Sequence, residues 1–186
     1  MSDFLGRVID EQDFFKKILS KIPGFNGYVE RNERRTADKL LRETIADHFE
    51  TLWQQISGVQ RSMIANAGID NVNELEAAAL KLRQFIDRIR TASYGYAGFF
   101  DAVKIKTEEL NTIYQYDLKM LEMEGEVGRA IDNVESSLGT DGQPAAINHL
   151  VSLSQQCIDV FEKRKEAIVK SAGGNSVITD IPATNP

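Results

Sequence analysis

Apolar residues recur every three to four positions over four long stretches, and this period constrains the fold more than any other feature. It is the period of an α-helix with one buried face, and each stretch is longer than an ordinary strand. The stretches cover residues 29–67, 71–92, 107–138 and 144–172. Helices of this length bury their apolar faces best against one another. The sequence therefore predicts an all-α fold, an antiparallel four-helix bundle.

The predicted core consists of the residues that share the apolar face of each stretch. At 100° per residue these faces comprise Leu41, Ile45, Phe49, Leu52, Trp53, Ile56, Val59, Met63 and Ile64; Leu75, Ala78, Ala79, Leu82, Phe85, Ile86 and Ile89; Leu110, Ile113, Tyr114, Leu118, Met120, Leu121, Val127, Ile131 and Val134; and Ile147, Leu150, Val151, Cys157, Ile158, Phe161, Ile168 and Val169. With 186 residues, the chain is long enough to enclose them in one domain.

Short connections join the first helix of the bundle to the second and the third to the fourth. Gly68 follows the first of these helices, and Asn71 with Glu74 predicts a capping box for the next. Gly139 follows the third, and Pro144 suits the first position of the fourth. Because the connections are short, we expect the helices in each of these pairs to be antiparallel.

An additional amphipathic helix is predicted at residues 1–22, before Pro23-Gly24. Its four acidic residues balance its four basic ones, whereas helices that seek anionic lipid are usually net basic. We therefore expect it to dock on the bundle domain, residues 23–172. The alternative is a peripheral membrane protein whose first helix inserts Phe4, Phe14 and Phe15 into lipid. The polar segment 173–186 is predicted to be a flexible tail.

An aromatic and glycine-rich segment, residues 94–101, interrupts the helical period in the middle of the chain. Gly95 and Gly98 give the backbone freedom there, and no Lys-Ser/Thr follows that would make a phosphate loop. Two interpretations remain open: a packed corner between helices, or an exposed surface that binds a partner. In the second, the contact residues are Tyr94, Tyr96, Phe99 and Phe100, together with Phe4, Phe14 and Phe15 of the first helix.

Two carboxylates, Asp117 and Glu124, fall inside the otherwise apolar arc of the third bundle helix. A buried carboxylate needs a partner or keeps its proton, because desolvation of the charge is unfavourable. Arg31, Arg34 and Arg42 also point along a core-facing direction and are the predicted partners. The pattern predicts a buried ion network between these helices that fixes register. The alternative is that both acids face solvent at an end of the bundle.

A ferritin-like carboxylate metal site in the bundle is a further alternative. Bundles that hold two metal ions use Glu-x-x-His motifs, but His48 is preceded three positions earlier by Ile45, and His149 by Ala146. We therefore expect no bound metal and no cofactor.

The sequence offers no motif for enzymatic chemistry. Cys157, the single cysteine, lies on an apolar stripe and suits a core position in a reducing compartment. A net charge of −6 argues against nucleic-acid binding, and the basic run at residues 31–42 is interleaved with acids. The N-terminus lacks the pattern of a secretion signal. We therefore expect a non-catalytic cytoplasmic interaction or scaffolding module with a protein partner, or a homo-oligomer.

Overall fold

The computed structural model describes residues 16–18, 20–22, 34–66, 71–92 and 107–172. Four long helices account for most of these residues: α1 (Arg34–Asn66), α2 (Val72–Thr91), α3 (Thr107–Ser136) and α4 (Gln143–Ala172). No β-strand occurs in the described ranges. The predicted all-α helical bundle is confirmed, and each observed helix falls within a few residues of its predicted bounds.

The first two helices form an antiparallel hairpin. Gln60, near the end of α1, donates a hydrogen bond to Glu76 near the start of α2, at 2.6 Å. At the other end of the pair, Arg90 of α2 contacts Asp47 of α1 at 3.0 Å. The α3–α4 hairpin is built in the same way around the turn at residues 137–142.

The two hairpins pack with like-directed helices side by side. Along α2 and α4, Lys81 donates to Gln155 and Arg88 donates to Glu162, so both helices run in the same direction. Helices α1 and α3 are the other parallel neighbours, and the order around the bundle is α1, α2, α4, α3. Helices α2 and α3 are therefore diagonal to each other, although they are consecutive in the chain.

One end of the bundle carries the start of α1 and α3 and the last turn of α2 and α4. We call this the crossover end, because the chain passes there from α2 to the diagonal helix α3. The connecting residues 93–106 lie outside the described residues, and so do residues 23–33, which precede α1.

The core follows the predicted apolar faces, with exceptions at two helix ends. Ile64 is 54% exposed and Val169 is 50% exposed, although both were predicted to be core residues. Each lies in the last turn of its helix, and the residue before it, Met63 or Ile168, is buried instead. Because successive residues on a helix differ by about 100° in direction, the burial of one neighbour turns the other outward.

The end of the predicted N-terminal helix packs on the bundle. Ile18 and Ile22 are fully or almost fully buried in the same core as the four long helices. Lys21 Nζ donates a hydrogen bond to the carbonyl oxygen of Leu121 on α3, at 3.4 Å. The described part of residues 1–22 is therefore docked on the protein.

The start of α2 differs from the prediction, and α4 begins at Gln143, one residue before the predicted Pro144. Asn71 precedes α2 with a left-handed backbone, φ 64°, and its side chain makes no capping hydrogen bond, so the predicted capping box is wrong. Its side-chain oxygen accepts a hydrogen bond from Gln143 instead, at 3.4 Å. Gly139, predicted to follow α3, does so with φ 74°, where an L side chain would be strained.

Candidate functional site

Arg164 of α4 is wholly buried and joins three helices. Its Nε donates to Asp117 Oδ1 of α3 at 2.7 Å, and its Nη2 donates to Asp117 Oδ2 at 3.1 Å. The same Nη2 donates to Asp38 of α1, which is diagonal to α4. One guanidinium thus crosses the centre of the bundle, in the geometry that suits a planar fork and a carboxylate.

Arg42 of α1 extends these contacts to the remaining helix. Its Nε donates to Asp38 Oδ2 at 2.9 Å, and its Nη1 donates to the carbonyl oxygen of Ile89 on α2 at 3.1 Å. We call Asp38, Arg42, Asp117 and Arg164 the ion cluster. Its two positive and two negative side chains balance, all four are buried, and every long helix of the bundle contributes a side chain or a carbonyl group.

Helical spacing explains why these side chains meet. Asp38 and Arg42 are one turn apart and share the buried face of α1 with Leu41 and Ile45. Arg164 occupies the core face of α4, three positions after Phe161. Because each lies in the half of its helix nearer the crossover end, packing the apolar faces brings the charged groups to one level.

Burial and charge act in opposite directions on the ionisable groups of the cluster. Desolvation raises the pKa of Asp117 from 3.8 to about 6, although the positive charge of Arg164 opposes this. Burial lowers the pKa of Arg164, but the charges of Asp117 and Asp38 together outweigh it, so that this pKa lies above its ordinary value. Arg164 is therefore charged throughout the physiological pH range.

One fully buried nitrogen of the ion cluster has no acceptor within the described ranges. Arg164 Nη1 is buried and makes no hydrogen bond to any described group. A buried donor without an acceptor is unfavourable by about 1–3 kcal/mol. The ion cluster therefore specifies how the helices are arranged, but its net contribution to the free energy of unfolding is small.

The structure brings together two of the five residues predicted for the buried ion network. Arg42 and Asp117 belong to the ion cluster, but Asp117 is held by Arg164 of α4 rather than by an arginine of α1. The side chains of Arg31 and Arg34 lie outside the described residues.

Arg164, like Asp38, was not among the residues predicted for the buried network. It lies three positions after Phe161 and four before Ile168, in the stripe that defines the core face of α4. A charged residue inside that stripe was the available signal, just as Asp117 is a charged residue inside the apolar arc of α3.

Glu124, the fifth predicted network residue, lies outside the ion cluster. Its carboxylate contacts His48 Nδ1 of α1 at 2.8 Å, and both side chains are about one-third exposed. The pair bridges the parallel helices α1 and α3 at the surface. The predicted placement of Glu124 in a buried network is corrected in this respect, because the position faces the boundary between two helices and not the centre.

The residues predicted to bind a partner cannot be placed. Tyr94, Tyr96, Phe99 and Phe100, and likewise Phe4, Phe14 and Phe15, all lie outside the described residues. Whether the aromatic segment is a corner or a surface therefore stays a prediction.

Two described groups considered for chemistry, Cys157 and Asp117, are buried. Cys157 is buried, and burial raises the pKa of its thiol to about 12, which suppresses the reactive thiolate. Within the described ranges, no three His, Cys, Asp or Glu side chains lie close enough to hold a metal ion. In the ferritin-like alternative Asp117 would be a ligand, but both of its oxygens accept hydrogen bonds from Arg164.

A charged groove lies between α1 and α2, close to the ion cluster. It has a volume of about 410 Å³, and the described residues that line it are Lys39, Arg42, Glu43, Asp47 and Arg90. Arg42 belongs to both features, since it lines the groove and also bonds Asp38 in the cluster.

Comparison with known proteins gives no family for this chain. No protein-family model matches the sequence, and neither the curated proteins nor the solved structures contain a significant match. None of the described helices combines the length and the apolar character that crossing a membrane requires.

Proposed function

We propose that the protein is a non-catalytic helical-bundle module that takes part in protein–protein assembly, either with a protein partner or with a second copy of itself. The observation that carries this proposal is the ion cluster, in which Arg164 binds carboxylates from two other helices. Its charged groups pair with one another inside the bundle. Such an arrangement suits a module with one defined helix order, which presents its surfaces in fixed positions.

The packing of the N-terminal segment favours assembly over membrane association. Ile18 and Ile22, at the end of this segment, are buried in the protein core, where these two side chains are not accessible to lipid. We propose Tyr94, Tyr96, Phe99 and Phe100 as candidate contact residues, and likewise Phe4, Phe14 and Phe15 of the first helix. The proposed location is the cytoplasm, which suits a chain with a single, buried cysteine.

Light scattering over a wide range of protein concentration tests self-association. We expect a mass above the 20.8 kDa of one chain at high concentration. A variant with Tyr96→Ala and Phe99→Ala should shift the equilibrium towards the monomer. A strictly monomeric wild-type protein at every concentration would contradict self-association and leave assembly with another protein as the proposal.

Sedimentation with anionic liposomes tests the membrane alternative. Because Ile18 and Ile22 belong to the core, removal of the whole segment would also disturb the bundle. The sharper variant replaces Phe4, Phe14 and Phe15 with serine and keeps both isoleucines. We expect the wild-type protein and this variant to remain in the supernatant alike. Lipid binding by the wild-type protein that the variant lacks would favour the peripheral membrane function instead.

A further inference from the structure

The groove between α1 and α2 has a buried cationic floor and exposed charged walls. Arg42 is only 3% exposed, and Asp38 and the Ile89 carbonyl group hold it in place. Lys39 and Glu43 on the wall are each more than half exposed and approach only to 3.7 Å. A loose surface pair of this kind contributes little and separates easily.

The guanidinium of Arg42 has an unused edge. Its described contacts use Nε and Nη1, and none of them uses Nη2. Since Arg42 also lines the groove, its remaining N–H donors are placed to serve a ligand there. A planar guanidinium that is fixed before binding loses little conformational entropy when it binds an anion.

Charge around the groove favours a monoanion. Asp38 neutralises Arg42, and Asp47 and Glu50 hold Arg90, so Lys39 is the cation of the described lining that has only a loose partner, Glu43. Arg90 keeps its charge, because its hydrogen bond to Asp47 raises its pKa. The carboxylates of Glu43 and Asp47 on the same lining would repel a phosphate dianion more strongly than a monoanionic carboxylate.

We propose that this groove binds the carboxylate of a small polar molecule, through Arg42 at its floor and Lys39 and Arg90 at its rim. The site is independent of the proposed assembly function. It also has a consequence for the bundle, because Arg42 bonds Asp38, and Asp38 bonds Arg164 at the centre. A carboxylate bound in the groove therefore fixes the side chain of Arg42 more firmly and stabilises the crossover end.

Nuclear magnetic resonance of the ¹⁵N-labelled full chain tests the site with sodium acetate as the probe. The Nε–H signal of Arg42 is expected to shift saturably with acetate, with a Kd in the millimolar range, and to stay in place in sodium chloride of equal ionic strength. Inorganic phosphate is the second arm. Tighter binding of phosphate than of acetate would overturn the assignment to a carboxylate, and no saturable shift with either would overturn the site.

Exposed rim residues provide variants that keep the fold. Lys39→Gln and Arg90→Gln should each weaken acetate binding by about threefold. Lys170→Gln is the matched control. Like Lys39, Lys170 is an exposed lysine that pairs with a glutamate four residues away on its own helix, in this case Glu166 of α4, but neither residue lines the groove. Equal affinity in the wild type and both rim variants would contradict the proposal, as would an equal loss in Lys170→Gln.

Discussion

At the scale of single residues, burial decides which charged groups have a structural role. Asp117 and Glu124 are both acids of α3, yet Asp117 is wholly buried and bonds an arginine, while Glu124 is one-third exposed and contacts a histidine. Desolvation therefore dominates the titration of Asp117. The two carboxylates occupy similar places in the apolar pattern of α3, but the fold gives them different environments.

The raised pKa of Asp117 predicts a specific pH dependence of stability. Between its ordinary value of 3.8 and its folded value of about 6, the folded protein holds a proton that the unfolded chain releases. The free energy of unfolding that the raised pKa of Asp117 adds is therefore fully present below pH 3.8, and it is lost as the pH rises through 6. The stability of the wild type relative to Asp117→Asn should decrease by up to about 3 kcal/mol between pH 4 and 7.

Urea unfolding at a series of pH values measures this difference. Asp132→Asn is the matched control, because Asp132 is an exposed carboxylate of the same helix. The difference in free energy of unfolding between the wild type and Asp132→Asn should stay nearly constant over the same range. A constant difference for Asp117→Asn as well would show that the pKa of Asp117 is not raised.

A second residue-scale prediction concerns Cys157. Because the thiol is buried and its pKa is raised to about 12, Ellman's reagent should not modify it in the native protein at pH 8. Addition of urea should release one thiol per chain. Rapid modification without denaturant would mean that the α3–α4 interface opens readily.

At the scale of elements, glycines have opposite roles in α3 and in the turn after it. Gly139 has a positive φ, so Gly139→Ala should destabilise the protein by about 1 kcal/mol. Gly125 is exposed within the helix, and an added Cβ would meet only Nη1 of the flexible Arg129, at 3.4 Å. Gly125→Ala should therefore stabilise the protein by about 0.5–1 kcal/mol. Thermal unfolding of both variants checks the two signs, and the same sign for both would contradict this account.

The sequence predicted the elements well and the contacts between them less well. Four clear apolar stripes and the turn at Gly139 were enough to place the helices, because helical period and turn chemistry are local properties. The partner of Asp117 is 47 residues away in the chain, and no local pattern selects Arg164 over the arginines of α1. That choice depends on which helices become neighbours, and short connections fix only the pairs within each hairpin.

At the scale of the whole molecule, the helix order predicts which positions lie close together. Lys81 and Gln155 of the neighbours α2 and α4 are in contact, whereas Gln84 and Arg129 are exposed on the diagonal helices α2 and α3. A short bis-maleimide should cross-link cysteines at positions 81 and 155 within the native chain, but not at 84 and 129. Cys157 is buried and should not compete. The reverse result would indicate a bundle in which consecutive helices are always neighbours.

The central claim is that Arg164 and Asp38 interact across the diagonal of the bundle, and a double-mutant cycle tests it most directly. Urea unfolding at pH 7 would compare the wild type, Arg164→Met, Asp38→Asn and the double variant. Removing one partner of a buried pair should destabilise the protein by about 3–5 kcal/mol, because it leaves the other charge without compensation. We predict a coupling free energy of about 1.5 kcal/mol or more between the two positions. Additivity within about 0.5 kcal/mol would contradict the ion cluster as the link between α1 and α4.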